Sequence, residues 1–195
     1  MSKRILVIQA HPDASRPHFC HALAESYAKA ARGAGHEVRI VDVASLSFPL
    51  LRSQAEWTKG EVPTGLVSVQ DDIRWAQHLV FFYPLWLGSM PALLKGFLEQ
   101  VARPGFAIGK YGEKAIPKKL LAGRSARIVV TMGMPAPVFR WFFFAHSLKA
   151  LKRNILGFVG ISPIRDTLVG SIEAMSPAAR GHWLQRMGRL GAAGE

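Results

Sequence analysis

Apolar residues in this chain follow two patterns that take turns along its length. Short runs, apolar throughout or in strict alternation, are separated by longer stretches in which apolar positions recur every three or four residues. That succession predicts a parallel α/β sheet covered by helices. Arg4 to Gln9 (RILVIQ) reads as a buried strand. Phe19 to Ala34 reads as a helix with Phe19, Leu23, Tyr27 and Ala30 on one face, stopped by Gly33 and Gly35. Glu37 to Val43 alternates as a second strand, and Leu79 to Leu85 (LVFFYPL) is apolar on both faces, as a central parallel strand must be. Met90 to Val101 is predicted helical, with Ser89 as its N-cap and Pro91 in its first turn. Ala126 to Thr131 and Ile164 to Val169 supply the fourth and fifth strands, and Ser176-Pro177 opens a last helix from about Ala178 to Leu190. Leu46 to Val69 reads as a long, turn-rich connection, and Ala102 to Gly123 as an excursion rich in Gly, Pro and Lys.

Five strands with helices between them predict one doubly wound α/β domain over residues 1–195, with sheet order 2-1-3-4-5. The ligand crevice of such a sheet lies at the carboxyl ends of strands one, three and four. The loops after Gln9, Tyr83 and Val130 are therefore where chemistry is expected.

Composition narrows the field. A hydrophobic share of 49% against 19% charged is a globular balance, and a single cysteine excludes an internal disulfide framework. No CxxC pair or zinc pattern is present, so no metal is expected. The apolar run Ile5–Ala10 is too short for a secretory signal. The most apolar region, Pro137 to Ile161, is broken by Arg140, His146, Lys149, Lys152 and Arg153 and is not expected to span a bilayer. A soluble, cytoplasmic protein is expected. The net charge is +12, and Lys95 to Arg153 alone carries twelve basic residues against Glu99 and Glu113. Such a stripe suits nucleic acid, an anionic membrane surface or phosphate-bearing cofactors, or is simply a solvated face. Nucleic acid is the weakest of these, for the chain has no helix-turn-helix, zinc or RNP pattern.

The first loop holds His11, Ser15, Arg16 and His18 ahead of a predicted helix N-terminus, a set of donors suited to phosphate oxygens. It contains no GxGxxG, and Gly33-Ala34-Gly35 precedes a strand, which removes the main support for an ordinary dinucleotide fingerprint. Cys20 in the same first turn is open to two readings, a reactive thiol or a small packed residue.

The second loop reads Tyr83-Pro84-Leu85-Trp86-Leu87-Gly88-Ser89-Met90-Pro91-Ala92-Leu93-Leu94-Lys95-Gly96. It resembles the flavodoxin-like NAD(P)H:quinone oxidoreductases of the modulator of drug activity B type, which carry P-L-x-W-x-x-x-P-A-x-L-K-G at this point. Ala10-His11-Pro12 matches the opening of the same family, and Thr131-Met132-Gly133-Met134-Pro135 resembles its third loop. The resemblance runs from Lys3 to the final helix. It implies a flavodoxin-like three-layer sandwich that binds a flavin, FMN or FAD, with FMN preferred. His11, His18, Phe19 and Cys20 would meet the flavin phosphate, Cys20 through its backbone, beside the donors Ser15 and Arg16 already read as suited to phosphate. Pro84, Leu85, Trp86, Leu87 and Gly88 would line the ring, and Thr131, Met132, Gly133 and Met134 its polar edge. Gly133 is read as allowing close backbone approach.

The resemblance further implies NAD(P)H as co-substrate, a quinone-like acceptor, ping-pong kinetics and a homodimer with Phe106 and Tyr111 in candidate interface parts. Some relatives pair a Tyr with a His for proton balance; this chain has Phe139 and Ala145 at those positions, leaving His146, one residue beyond, as a weak catalytic candidate. Val138 to Phe144 (VFRWFFF) is either the wall of an acceptor pocket or helix core. A rival function for the same fold is a flavin-binding regulatory subunit of a membrane transport system, with the basic, aromatic surface against a membrane.

Overall fold

The computed structural model describes residues 1–110 and 118–195; Tyr111 lies outside them. Five strands, β1 (Arg4–Gln9), β2 (Glu37–Asp42), β3 (His78–Pro84), β4 (Ser125–Thr131) and β5 (Ile164–Val169), form one parallel sheet in the order β2-β1-β3-β4-β5. The order is the one the periodicity predicts. β3 is buried at every position and β1 at all but Arg4, because each lies between two neighbours and under helices on both faces. Edge strand β2 buries only Val41.

Successive side chains on a strand point to opposite faces, so each strand feeds two cores. On one face Ile5, Val7, Val80, Phe82 and Val129 pack under α1 (Phe19–Gly33) and α6 (Pro177–Ala192) through Leu23, Tyr27, Ala31 and Met187. On the other face Leu6, Ile8, Leu79, Phe81, Ile128 and Val130 pack against α3 (Thr64–Trp75), α4 (Ala92–Val101) and the chain from Leu148 to Ile161. The latter segment runs through α5 (His146–Ala150) into a π-helical turn, Leu151–Leu156.

Two expectations are corrected. The connection read from Leu46 to Val69 as turn-rich holds the short helix α2 (Gln54–Lys59) and the start of α3. Leu66, Val69 and Ile73 of α3 are core residues at a spacing of three to four, a period hidden by Pro63, Thr64 and Gly65 at the helix start. The N-cap of α4 is Pro91 rather than Ser89, because Ser89 pairs its backbone with Trp86 in a tight turn.

The basic stripe does not form one surface. Arg103 and Arg127 are buried; Arg103 donates to the carbonyls of Glu56, Gly60 and Gln100, and Arg127 to the Thr167 hydroxyl. Arg140 and Lys152 both pair with Asp166 of β5, at 2.7 and 2.6 Å. Among the described residues no helix is long and apolar enough to cross a membrane.

Candidate functional site

The three loops singled out by the sheet order meet in one cleft of about 420 Å³ at the carboxyl ends of the strands. Hydrogen bonds carry the sheet register past the strand ends and fix this meeting. The Ala10 amide donates to Phe82 O (2.8 Å), Leu85 to Thr131 O (2.7 Å) and Met132 to Val169 O (2.9 Å). Each loop therefore leaves the sheet tied to its neighbour, and the cleft floor is as ordered as the sheet beneath it.

The first loop supplies His11, Asp13, Arg16, His18, Phe19 and Cys20 to the lining. His18 is the N-cap of α1, and its amide donates to His21 Nδ1 at 3.1 Å. The rings of His11 and His18 stack with centroids 3.8 Å apart, and the Trp86 ring meets His11 edge-on at 6.1 Å. His11 Nδ1 lies 3.2 Å from the Asp13 amide and 3.3 Å from the Asp13 carbonyl oxygen, so the loop backbone holds the ring through Nδ1 in either neutral tautomer and leaves Nε2 for another partner. Burial, and then the neighbouring His18 and His21, push the His11 pKa down to about 4, so the ring is neutral at ordinary pH. The first amides of α1 have no acceptor within the helix, which makes those of Phe19 and Cys20 available to an anion in the cleft.

Cys20 settles into the packed reading. It is 2% exposed, its thiol points to Gln9 Oε1 at 3.8 Å, and burial pushes its pKa up to about 12. Its contribution to the cleft is therefore its backbone. Ser15 is turned away: its amide and hydroxyl both go to Asp13 Oδ1, at 2.9 and 2.5 Å.

The second loop contributes Pro84, Leu85 and Trp86 to the cleft, with Trp86 half exposed. Leu87 and Gly88 do not line it. They form a two-residue turn closed by Trp86 N to Ser89 O and Ser89 N to Trp86 O, both 2.9 Å. Their φ angles of 46° and 75° belong to a type I′ turn, at which Gly88 is favoured and Leu87 is strained. The Leu87 side chain stands fully in solvent.

The third loop brings in Thr131, Met132 and Gly133, while Met134 lies outside the lining and accepts the Ser171 amide instead. Gly133 lines the cleft, and a Cβ there would meet the Glu173 carboxylate at 3.1 Å. The tight approach of backbone to backbone is at Gly170, where a Cβ would lie 2.3 Å from Ala136 N and 2.8 Å from Met134 O.

Sequence reasoning assigned no role to Asp13, Ile172 or Glu173, all of which line the cleft. Ile172 and Glu173 come from the loop after β5, a fourth loop at the carboxyl edge that the position of β5 beside β4 would have indicated. Arg180 of α6 holds this loop in place: it donates to Ile172 O at 2.6 Å and lies over the Phe19 ring at 4.8 Å. His146 is exposed and outside the cleft lining, beside Phe144 with centroids 5.8 Å apart. Phe106 is 6% exposed and sits in the core under the Arg74 guanidinium, so its ring is not surface.

The aromatic run is neither uniformly core nor part of the cleft lining. Phe139 is buried, whereas Trp141, Phe142, Phe143 and Phe144 are exposed by 70, 74, 48 and 58%. A π-helical turn over Val138–Phe142 and left-handed Phe144 and Ala145 present them outward, with Arg140 anchored to Asp166. Among the described residues no cluster of three or more potential ligands could hold a metal ion.

The residues present would suit a flavin: apolar Pro84–Trp86 on one side, the Thr131–Gly133 loop on another, and at the α1 end the His11 ring beside the open amides of Phe19 and Cys20.

Comparison with known proteins agrees with this architecture. The chain is 27% identical over 179 residues to an uncharacterized NAD(P)H oxidoreductase of Haemophilus influenzae, covering 90% of this chain and 87% of that protein. It is 29% identical over 192 residues to an FMN-dependent NADH:quinone oxidoreductase of Nitratidesulfovibrio vulgaris, covering 89% and 88%. Among solved structures, Smu.1420 of Streptococcus mutans superposes with a TM-score of 0.78 at 28% identity, covering 97% of this chain and 98% of that one. The family model described as Flavodoxin-like fold matches residues 3–189, and the chain belongs to that family, Flavodoxin_2.

Proposed function

We propose that the protein is a flavin-dependent NAD(P)H oxidoreductase that reduces quinone-like acceptors, with FMN held in the cleft described above. The observation that carries this reading is the convergence of the His11, Trp86 and Thr131 loops on one cavity of about 420 Å³, a size ordinary for cofactor sites. The relatives described as NAD(P)H oxidoreductase and FMN-dependent NADH:quinone oxidoreductase support it.

In this reading His11 Nε2–H and the amides of Phe19 and Cys20 hold the phosphate of the flavin. Pro84, Leu85 and Trp86 bound its ring on the apolar side, and the Thr131–Gly133 backbone faces its polar edge. A bound flavin supplies two-electron hydride chemistry. The chain's own part is to orient that ring and to keep water off the apolar wall. Cys20 is too buried and too weakly acidic to take part, and His146 stands outside the cleft. A single cleft receives nucleotide and acceptor in turn, which gives ping-pong kinetics.

The four exposed aromatics at 141–144 support a homodimer, since contiguous apolar surface of this kind marks an interface. Trp141→Ser with Phe142→Ser is expected to convert a dimer to monomer in sedimentation equilibrium.

The purified chain should absorb in the flavin bands and release FMN on denaturation, identified by mass spectrometry. It should oxidise NADH or NADPH when menadione is supplied. Bound flavin without turnover would point instead to a regulatory, non-catalytic role. A colourless preparation that takes up neither FMN nor FAD would end the flavin reading.

A further inference from the structure

Asp13 places a carboxylate at the end of the cleft assigned to phosphate, where an acid is out of character. It gathers the donors of its own loop: His18 Nε2 at 2.8 Å, the Ser15 hydroxyl at 2.5 Å, the Ser15 amide at 2.9 Å and Arg16 Nε at 3.4 Å. These bonds, the Ser15 hydroxyl foremost, hold its carboxyl well below the usual carboxylate range. The loop thus carries a permanent anion, already served by most of the side chains that would otherwise meet a ligand's phosphate.

We propose that Asp13 is an internal anion that competes with the phosphate of a bound flavin for His18, and so sets which flavins the cleft accepts. The proposal rests on the flavin reading above and deepens it. A phosphate monoester carries close to two negative charges at neutral pH. Held by His11 Nε2–H and the Phe19 and Cys20 amides, it lies beside the His18 ring, which stacks 3.8 Å from His11 and is already bonded to Asp13. Either the phosphate draws His18 away from Asp13, or it stays next to a like charge. Both outcomes weaken a phosphorylated flavin, and neither affects riboflavin, which has no phosphate. Arg16 does not offset the acid, because its side chain is three-quarters exposed and screened by water.

The test is titration of the full chain and of Asp13→Asn, Asp13→Ser and Asp13→Glu with FMN and with riboflavin, read by quenching of flavin fluorescence at neutral pH. Asp13→Ser keeps a short acceptor for the Ser15 amide, which separates loss of charge from loss of the turn. Removal of one charge at this range is expected to tighten FMN about fivefold to tenfold in both neutral variants and to leave riboflavin within about twofold. Asp13→Glu should behave as the parent. FMN affinity unchanged or weakened in both neutral variants, with riboflavin still bound, overturns the proposal and leaves the flavin reading intact. Parent and variants that bind no flavin at all overturn both.

Discussion

At the α1 end of the cleft His11, Asp13, Ser15 and His18 bond to one another or to their loop backbone, whereas at the β3 end Trp86, Leu87 and, further along the chain, Trp141 and Phe142 face solvent. The polar bonds all span five residues or fewer, so that network forms within its own loop and leaves only the Phe19 and Cys20 amides and His11 Nε2 open toward the cleft. Apolar surface cannot be satisfied so locally. Cover for it comes only from outside the loop, and each Å² withdrawn from water gains roughly 25 cal/mol. One cleft therefore joins a locally bonded polar end to an exposed apolar surround, and the two should respond differently to perturbation.

The largest expected effect comes from the backbone that holds both ends together. Gly170→Ala places a Cβ 2.3 Å from Ala136 N and should cost about 3 kcal/mol in urea unfolding. Flavin binding should be lost along with the third-loop register. If stability is unchanged, the loops are not locked as described.

Acid should act through buried imidazoles. His11 and His78 both have pKa values lowered from 6.5 to about 4, chiefly by burial. The unfolded chain binds the proton first, so the stability present above about pH 6.5 is lost as pH falls toward 4. The loss is on the order of 2–3 kcal/mol for His78 and smaller for His11, which borders the open cleft. His78 lies at the opposite end of β3, so denaturation midpoints of His78→Gln against pH leave the part due to His11 and to His21, whose pKa burial also lowers. A flat pH profile in that variant would mean that neither ring is desolvated.

Removing the free donor of the polar end gives a selective loss. His11→Ala should weaken FMN about tenfold to a hundredfold and riboflavin hardly at all; equal losses of both would move the phosphate elsewhere. The smallest effect belongs to the apolar end. Leu87→Asn relieves a left-handed leucine in a turn that favours Asn before Gly, and should raise stability by about 1 kcal/mol. Menadione turnover measured beside it tells whether the strained, exposed leucine serves the acceptor.

Much of this was legible in the chain. The apolar runs around Leu6, Phe81 and Val129 identify the strands, and the Pro84–Trp86 and Ala10–Pro12 segments identify two of the loops. The third helix was hidden because Pro63 and Gly65 mark a turn even as Leu66, Val69 and Ile73 begin a helical face. Asp13 was in view but had no role, since its charge points to a surface residue until His18 and Ser15 are seen to converge on it.

The sequence by itself determined the parallel sheet, its order and the sheet edge where the cleft opens, because hydrophobic period and the handedness of strand–helix–strand crossovers leave few alternatives. Only the tertiary structure decided that Cys20 is packed, that Arg103 and Arg127 are interior, that Gly170 is where backbone meets backbone, and that Trp141 to Phe144 face outward. Those properties depend on what surrounds a residue in three dimensions. Burial, desolvation and backbone contact are set by neighbours distant in sequence, and no local pattern carries them.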